Sequence, residues 1–241
     1  MKGAELLKLD ILDPYNIRAR LSPSIILLGP IALTLFFCFE SVYNATSSAV
    51  SLVILFAMTN YVPILQRRLS KRNMLPDNYA ARLLHWNNTE IDKLSKQRYY
   101  EKLASLDPSF SIFRNPSDTK KFKDCFESAV IYLRNNTRDN HLVYEENINC
   151  GFCKNMLIDK PIGITINIVL AILTFLYSWM VSGQIAAISH KNWFSICINL
   201  LFVIFWIFAI NKKMLEESAK RYAYTLITSI DSLKPKESKD Q

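Results

Sequence analysis

Residues 161–183 read PIGITINIVLAILTFLYSWMVSG, and no charged side chain interrupts them. The hydrocarbon core of a bilayer is about 30 Å thick, and a helix of about 20 apolar residues crosses it. Uncharged runs of this length are rare in soluble folds, where apolar residues recur at helix or strand spacing. This stretch is therefore predicted to be a transmembrane helix.

Three further runs have the same character, at residues 21–39, 45–66 and 193–211. Pro23 and Pro30 interrupt the first, which a membrane helix tolerates when neighbours satisfy the freed backbone groups. A cleaved signal peptide is not expected, because Asp10 and Asp13 precede this run and no small-residue cleavage site follows closely. Run length disfavours the alternative of four core helices in a soluble protein. The predicted fold class is an all-α membrane protein with four transmembrane helices.

Lysine and arginine flank these runs unequally. The segments 40–44 and 184–192 together contain one lysine, Lys191, and no arginine. Because cytoplasmic loops are enriched in lysine and arginine, we expect both termini and the central block to face the cytoplasm. The cations on that side are Lys2, Lys8, Arg18, Arg20, Arg67, Arg68, Lys71, Arg72, Lys154, Lys160, Lys212, Lys213, Lys220 and Arg221.

The predicted organisation has five parts. Residues 1–20 form a cytoplasmic amphipathic segment, 21–66 the first two transmembrane helices, and 67–160 a basic helical cytoplasmic domain. Residues 161–211 form the third and fourth transmembrane helices, and 212–241 a cytoplasmic C-terminal helix and tail. The central domain holds 17 lysines and arginines against 12 acidic residues, which gives it a net positive charge.

Three helices are predicted in the central domain. The first begins near residue 88, with Thr89 as its cap and Asp92 completing a capping box, and runs to about residue 106. The second begins at residue 117 or 118 and ends at residues 135–136. The third covers residues 139 to about 156, after which Pro161 is expected to open the third transmembrane helix at its first turn.

An apolar stripe follows the fourth run. Its residues recur at helical spacing, so we predict a helix that either forms a seam between copies or packs on the chain's own domain. Two heptads are too few to indicate a coiled coil. The stripe consists of Leu215, Ala219, Tyr222, Leu226, Ile230 and Leu233.

Cys150 and Cys153 form a C-x-x-C pair. Structural zinc needs four ligands, but a second such pair is absent and His85 and His141 lie far apart in sequence. A thioredoxin-type motif would lie near a β-α-β pattern, and this region is predicted to be helical. We therefore interpret the two cysteines as small half-buried residues, and expect no metal site and no cofactor.

Catalytic motifs are also missing. The sequence has no P-loop, no H-E-x-x-H and no G-x-S-x-G, and its three histidines are scattered. Glu145 and Glu146 are adjacent, so on a helix they point about 100° apart and do not face each other. We expect no enzymatic activity, with a membrane hydrolase as the weaker alternative.

Cations and aromatics of the central domain suit an anionic ligand. Guanidinium and ammonium groups bind phosphate oxygens, and aromatic rings stack on bases. The alternative is that this face is basic only because of its topology and of anionic lipid. The candidates are Arg134, Arg138, Lys154, Lys120, Lys121 and Lys123, with the aromatics Tyr99, Tyr100, Phe113 and Tyr132.

A few polar residues lie within the apolar runs. Their side chains are costly against lipid, so they either hydrogen-bond between helices or line a water path on the axis of an oligomer. They are Thr59, Asn60, Asn167, Thr174 and Asn199.

Three segments of the central domain carry a family resemblance: RYYEKL at residues 98–103, YLRNNTR at 132–138 and EENINCGFCKN at 145–155. They resemble the cytoplasmic part of membrane effectors of the Hailong anti-phage system, which are encoded beside nucleotidyltransferases. The resemblance covers residues 76–160, about a third of the chain. Relatives carry basic residues after the Gly-Phe, where this chain has Cys153 and Lys154.

This resemblance implies a homo-oligomeric membrane effector, such as a tetramer, that forms an ion channel. It implies control by a nucleotide or a short single-stranded DNA made by a partner nucleotidyltransferase. In such an effector of the bacterial inner membrane, Tyr132 and the helices around residues 134–155, including Asn155, are expected to contact that ligand. The alternative function is a non-conducting membrane adaptor that docks a protein partner.

Overall fold

The computed structural model describes residues 13–38, 61–69, 79–113 and 119–233, with the backbone alone described at residues 67 and 119–123. These residues are helical and include no strand, which confirms the all-α class. The helices are α1 (Asn16–Cys38), α2 (Val62–Leu69), α3 (Tyr79–Leu84), α4 (Lys93–Leu106), α5 (Thr119–Asn136), α6 (His141–Ser182), α7 (His190–Phe208) and α8 (Lys212–Thr228). Short 3-10 turns cover Pro108–Phe113, Ile185–Ala187 and Ser229–Ser232.

The chain divides into two compact units. Unit 1 contains Met1–Met74 and Gly151–Leu215, and unit 2 contains Leu75–Cys150 and Glu216–Gln241. Unit 1 therefore holds the apolar runs, and unit 2 holds most of the predicted central domain together with α8. The division falls inside α6, directly after Cys150.

Three helices are long and apolar enough to cross a membrane: α1, α6 and α7. They contain the predicted first, third and fourth runs, which supports insertion in a membrane. Most of the second run, residues 45–60, lies outside the described residues. The predicted amphipathic segment is likewise outside them as far as residue 12.

In unit 1, α6 and α7 form an antiparallel pair. Gly183 ends α6 with φ +66°, a conformation that favours glycine, and its N–H donates to the Trp179 carbonyl at 2.9 Å. Beside this turn, the Asn192 amide donates to the Ser178 hydroxyl at 2.8 Å. At the other end of the pair, Gly163 lies directly against the buried ring of Trp206.

The outer faces of these helices are apolar. Trp179 is 49% exposed and Trp193 39% exposed, whereas Trp206 is completely buried. Amphipathic aromatic rings of this kind are enriched where a transmembrane helix meets the membrane surface. The exposure pattern suits helices surrounded by lipid and packed on one another through a narrower face.

Pro161 does not open a new helix, contrary to the sequence prediction. It lies inside α6, which continues unbroken from His141 to Ser182. Proline removes only the hydrogen bond that its own N–H would donate to the carbonyl four residues earlier. Apolar membrane helices accept such a residue because neighbouring groups satisfy the backbone locally.

The first helix of the central domain begins later than predicted. Asn88 instead forms a turn, in which its side chain accepts the Glu90 N–H at 2.9 Å. Asp92 is the N-cap of α4, and its carboxylate accepts the Ser95 N–H at 2.8 Å. The hydrogen bonds from Ser95 lower the pKa of Asp92. Thr89 is therefore not the cap, although the helix does end at Leu106 as expected.

A core between α3, α4, α5 and α8 holds unit 2 together. Phe126 and Leu133 of α5 pack there with Leu103 of α4, and Leu226 and Ile230 of the predicted C-terminal stripe complete it. That part of the stripe consequently packs on the chain's own domain. On the surface, Arg98 forms a two-pronged ion pair with Asp231, with distances of 3.0 and 2.7 Å, which raises the pKa of Arg98.

Adding a methyl group at Gly163 tests the packing of α6 on α7. A Cβ there would lie 2.3 Å from an atom of the Trp206 ring, so we expect Gly163→Ala to destabilise the protein by about 1–3 kcal/mol through overpacking. The denaturation midpoint of the full-length protein in detergent measures this. Gly29→Ala is the matched control, because its new Cβ meets nothing within 4 Å. Equal midpoints for the two variants would contradict this contact.

Candidate functional site

Unit 2 contains an open cleft of about 660 Å³ beside the start of α4. Its walls combine aromatic rings with amide, carboxylate and ammonium groups, which is the mixture that binding sites for small polar ligands use. The lining residues are Trp86, Lys93, Lys96, Gln97, Tyr100, Glu101 and Phe113.

Trp86 supplies the accessible aromatic surface of the cleft. Its side chain is 57% exposed, and the His85 ring stacks against it with centroids 5.8 Å apart. His85 also contacts the buried Phe126 ring at 5.3 Å, so the pair is anchored to the core of unit 2. The cleft therefore presents an indole face on a supported platform.

Tyr100 and Phe113 form the inner wall. Their rings are nearly parallel, with an interplanar angle of 9° and centroids 5.1 Å apart. The Tyr100 hydroxyl donates to the Leu84 carbonyl, and burial raises its pKa. These two aromatics, together with the buried Tyr99, were sequence candidates for base stacking, but here they pack into the core.

Lys96 connects two of the segments that border the cleft. Its ammonium donates to the carbonyls of His85, at 2.7 Å, and of Asn88, so it ties the turn after α3 to α4. Burial lowers the pKa of Lys96, and the nearby charge of Glu90 opposes that shift. Lys96 therefore has a structural role, and Lys93 is the exposed cation of the cleft.

The polar side of the cleft contains Gln97 and Glu101 on adjacent turns of α4. The Gln97 amide donates to the Glu101 carboxylate at 3.3 Å. Together they offer both a donor and an acceptor to a ligand lying on Trp86. A planar base with a phosphate group matches this set: an aromatic face, a hydrogen-bonding edge and one cation.

The predicted cationic residues fall into both units. Arg134 and Arg138 are exposed in unit 2, where Arg138 donates to Asn135 at 3.4 Å. Lys154 and Asn155 belong to unit 1, and the Asn155 amide donates to the Ala19 carbonyl of α1 at 2.6 Å. The first turns of α5 contain the predicted lysines Lys120, Lys121 and Lys123, and only their backbone is described.

Tyr132 is half-buried and packs edge-on against Phe110, with ring centroids 5.5 Å apart. Burial, with a smaller effect of the Asp107 charge, raises its pKa. Its ring therefore contributes to the domain core and is only partly accessible.

Sequence reasoning missed Trp86, Lys93, Gln97 and Glu101 as a group. The polar three share one face of α4, but the sequence gives no sign that the turn carrying Trp86 folds back over that face. An isolated tryptophan beside a histidine was the only local signal. The hydrogen bonds of Lys96 to that turn bring the parts together.

The predicted polar residues of the apolar runs lie inside unit 1. The Asn199 amide and the Ser195 hydroxyl both donate to the Thr34 hydroxyl oxygen, at 2.8 and 3.3 Å, and so connect α7 to α1. The Asn167 amide donates to the Gly163 carbonyl at 2.7 Å. The side-chain oxygens of Asn167 and Asn199 are buried and have no partner among the described residues.

Thr174 is also buried in unit 1, where its hydroxyl lies 4.0 Å from the Cys38 sulfur. Thr59 and Asn60 lie outside the described residues. Cys150 and Cys153 are half-buried on α6 and form no disulfide. Among the described residues, no cluster of three or more histidine, cysteine, aspartate or glutamate side chains has the arrangement of a metal site.

No family model, curated protein or solved structure matches the chain.

Removing the Lys96 ammonium tests how the cleft is built. Lys96→Met keeps the buried stem but leaves the His85 and Asn88 carbonyls without their donor, so we expect a loss of about 1–3 kcal/mol in the free energy of unfolding. Chemical denaturation of the purified full-length protein measures it. The control Lys93→Met lies one turn earlier and is exposed, and it should change stability by less than about 0.5 kcal/mol. Comparable losses in both would contradict the structural role of Lys96.

Proposed function

We propose that this protein is an oligomeric membrane effector of bacterial anti-phage defence, an ion channel controlled by a nucleotide or short single-stranded DNA bound to unit 2. The observation that carries the proposal is the Trp86 cleft, with its indole face, hydrogen-bonding edge and exposed cation. It occurs in the same chain as three helices able to cross a membrane. The role in defence rests on the Hailong resemblance of residues 76–160.

A fourth crossing is part of this proposal. Cys38 and Ala19 of α1 contact Thr174 and Asn155 of α6, so the two helices run in the same direction. The chain must therefore return between them, and the apolar run 45–66 has the length for it. The Gln66 amide bonds to Asp159 of α6, which lies about 22 Å along the helix from the level of Cys38 and Thr174.

Conduction would take place on the axis of an oligomer. In this proposal a single protomer has little interior room for a water path, because the polar groups described in unit 1 are packed between helices. Asn167 and Asn199 offer amide oxygens within the apolar layer. In this proposal, they become accessible to ions when the ligand state changes, and the ligand acts through its different affinity for the closed and open states.

Replacing Trp86 tests the ligand site. Trp86→Ala should weaken binding about 10- to 100-fold, since stacking on an aromatic contributes about 1–3 kcal/mol per base. The measurement is equilibrium binding of labelled ATP and of a single-stranded DNA of about ten nucleotides to the full-length protein in detergent.

Trp86→Phe keeps an aromatic face and should retain most of the affinity. Leu94→Ala is the control, because Leu94 is exposed on α4, which borders the cleft, but does not itself line the cleft. Equal affinity in Trp86→Ala and Leu94→Ala would contradict the proposed site. Absence of binding by the wild-type protein would remove the proposal that these ligands regulate it.

Membrane potential tests the channel. Expression of the chain should depolarise the cells in one of its two states, ligand-bound or ligand-free. Asn199→Leu should reduce that depolarisation because it removes a polar group from the apolar layer. A potential-sensitive dye reports this in growing cells. Growth arrest with an intact potential would reject conduction.

Exposed apolar residues on unit 2 favour a second candidate function, a non-conducting adaptor. Leu94, Ile131 and Leu142 are all largely exposed on α4, α5 and α6. The adaptor hypothesis is that these side chains contribute to one partner-binding patch, since contiguous exposed apolar patches mark such sites. If Leu94→Asp abolished the cellular effect while the membrane potential never changed, the adaptor would replace the channel.

A further inference from the structure

A carboxyl group is buried in unit 1. The Asp159 side chain on α6 has no exposed surface, and Gln66 of α2 is almost as buried. The Gln66 amide donates to Asp159 Oδ2 at 2.7 Å. Asp159 Oδ1 and Gln66 Oε1 are both buried and have no hydrogen-bond partner among the described residues. The pair of side chains thus has one donating group, the Gln66 amide, and two buried acceptor oxygens that receive no hydrogen bond from a described residue.

No cation among the described side chains compensates a charge at this position. Among the charged side chains described in unit 1, none acts electrostatically on Asp159, whose one polar partner is Gln66. Lys160, the next residue, is engaged elsewhere, since its ammonium donates to the carbonyls of Ile207 and Ile210 at 2.9 and 2.6 Å. The other charged side chains described in unit 1 are Asp13, Arg18 and Arg20 before and within α1, Arg68 on α2, Lys154 on α6, Lys191 on α7, and Lys212 and Lys213 on α8.

An ionised carboxylate is costly in such a place. One hydrogen bond from a neutral amide does not replace the solvation that a carboxylate loses on burial. A carboxylic acid removes the charge, and its O–H is a donor that can turn toward the unpaired oxygen of Gln66. Acid and amide then donate to each other.

We propose that Asp159 is a proton-binding site, held in the folded protein as a neutral acid paired with Gln66. The proton comes from water and forms an O–H bond on the Asp159 carboxyl group. Its loss leaves a buried negative charge between α2 and α6 and weakens their contact. Acidity therefore favours the arrangement in which α2 is packed on α6. This inference does not rest on the proposed channel or on its ligand.

The sign of the pH dependence follows from proton binding. An aspartate in the unfolded chain loses its proton at about pH 4. In the folded protein, the Asp159 carboxyl group retains its proton to higher pH. Stability contributed by the pair therefore falls as pH rises through that window, because the folded state binds more protons than the unfolded state.

The test compares wild type with Asp159→Asn, which keeps the shape of the neutral acid and cannot ionise. Thermal denaturation of the full-length protein in detergent is followed from about pH 5 to about pH 9. The wild-type midpoint should fall relative to that of Asp159→Asn, by roughly 3–5 °C for each pH unit in which only the folded state holds the proton. Asp124→Asn, at an exposed position of α5, is the matched control and should follow the wild type.

A constant difference between wild type and Asp159→Asn over that range would overturn the proposal. Infrared spectroscopy gives a second measurement on the wild type itself: near neutral pH it should show the carbonyl stretch of a protonated carboxylic acid, which Asp159→Asn lacks. Absence of that band in folded protein would overturn it as well. A third result would also overturn the proposal: the wild type is more stable in sodium chloride than in choline chloride, and Asp159→Asn shows no such difference. A metal cation would then occupy the Asp159 and Gln66 oxygens.

Discussion

The structure of unit 1 depends on one constraint: an unpartnered polar group is costly within apolar surroundings, so most polar groups find a partner inside the protein. Backbone groups meet this constraint by forming helices. The Thr34 hydroxyl oxygen accepts hydrogen bonds from Ser195 and Asn199, so these polar residues of α1 and α7 bond to each other rather than face lipid. At and just after the end of α7, the Lys160 ammonium donates to the carbonyls of Ile207 and Ile210, in the region where helix carbonyls lack intrahelical donors.

Unit 2 follows the rules of water-soluble domains instead. An aromatic and aliphatic core joins α3, α4, α5 and α8, and the surface pair of Arg98 with Asp231 fixes the turn Ser229–Ser232 onto α4. Two cations, Arg82 and Lys220, also lie over the Tyr79 ring, whose hydroxyl donates to Glu90 at 2.8 Å. Within this framework, the Trp86 cleft is an opening bordered by well-supported side chains, and its chemistry supports the proposed ligand site.

The sequence was informative where a single physical property decides the structure. Hydrophobic runs predicted α1, α7 and the apolar part of α6, because the cost of placing charge in lipid exceeds local preferences. Local signals decided less well between neighbouring alternatives. Asp92 rather than Thr89 caps α4, and Pro161 is accommodated within α6, because hydrogen bonding by neighbours changes the outcome that each residue would have alone.

The candidate site could not be predicted in the same way. Its side chains come from a turn, from α4 and from a 3-10 segment, and only the packing around Phe126 and the bonds of Lys96 bring them together. Similarly, no sequence pattern distinguishes Asp159 from the other acidic residues. Its significance lies in burial beside Gln66 on another helix, which no pattern within either helix indicates.

Quenching of tryptophan fluorescence by brominated lipid tests most directly whether a bilayer surrounds unit 1. Full-length variants that retain only Trp179, or only Trp206, would be reconstituted in vesicles with brominated acyl chains. Trp179 is half exposed on α6, and Trp206 is completely buried between helices. The account predicts strong quenching of Trp179 by lipid and weak quenching of Trp206. Quenching of Trp179 by aqueous iodide, with no effect of brominated lipid, would contradict it.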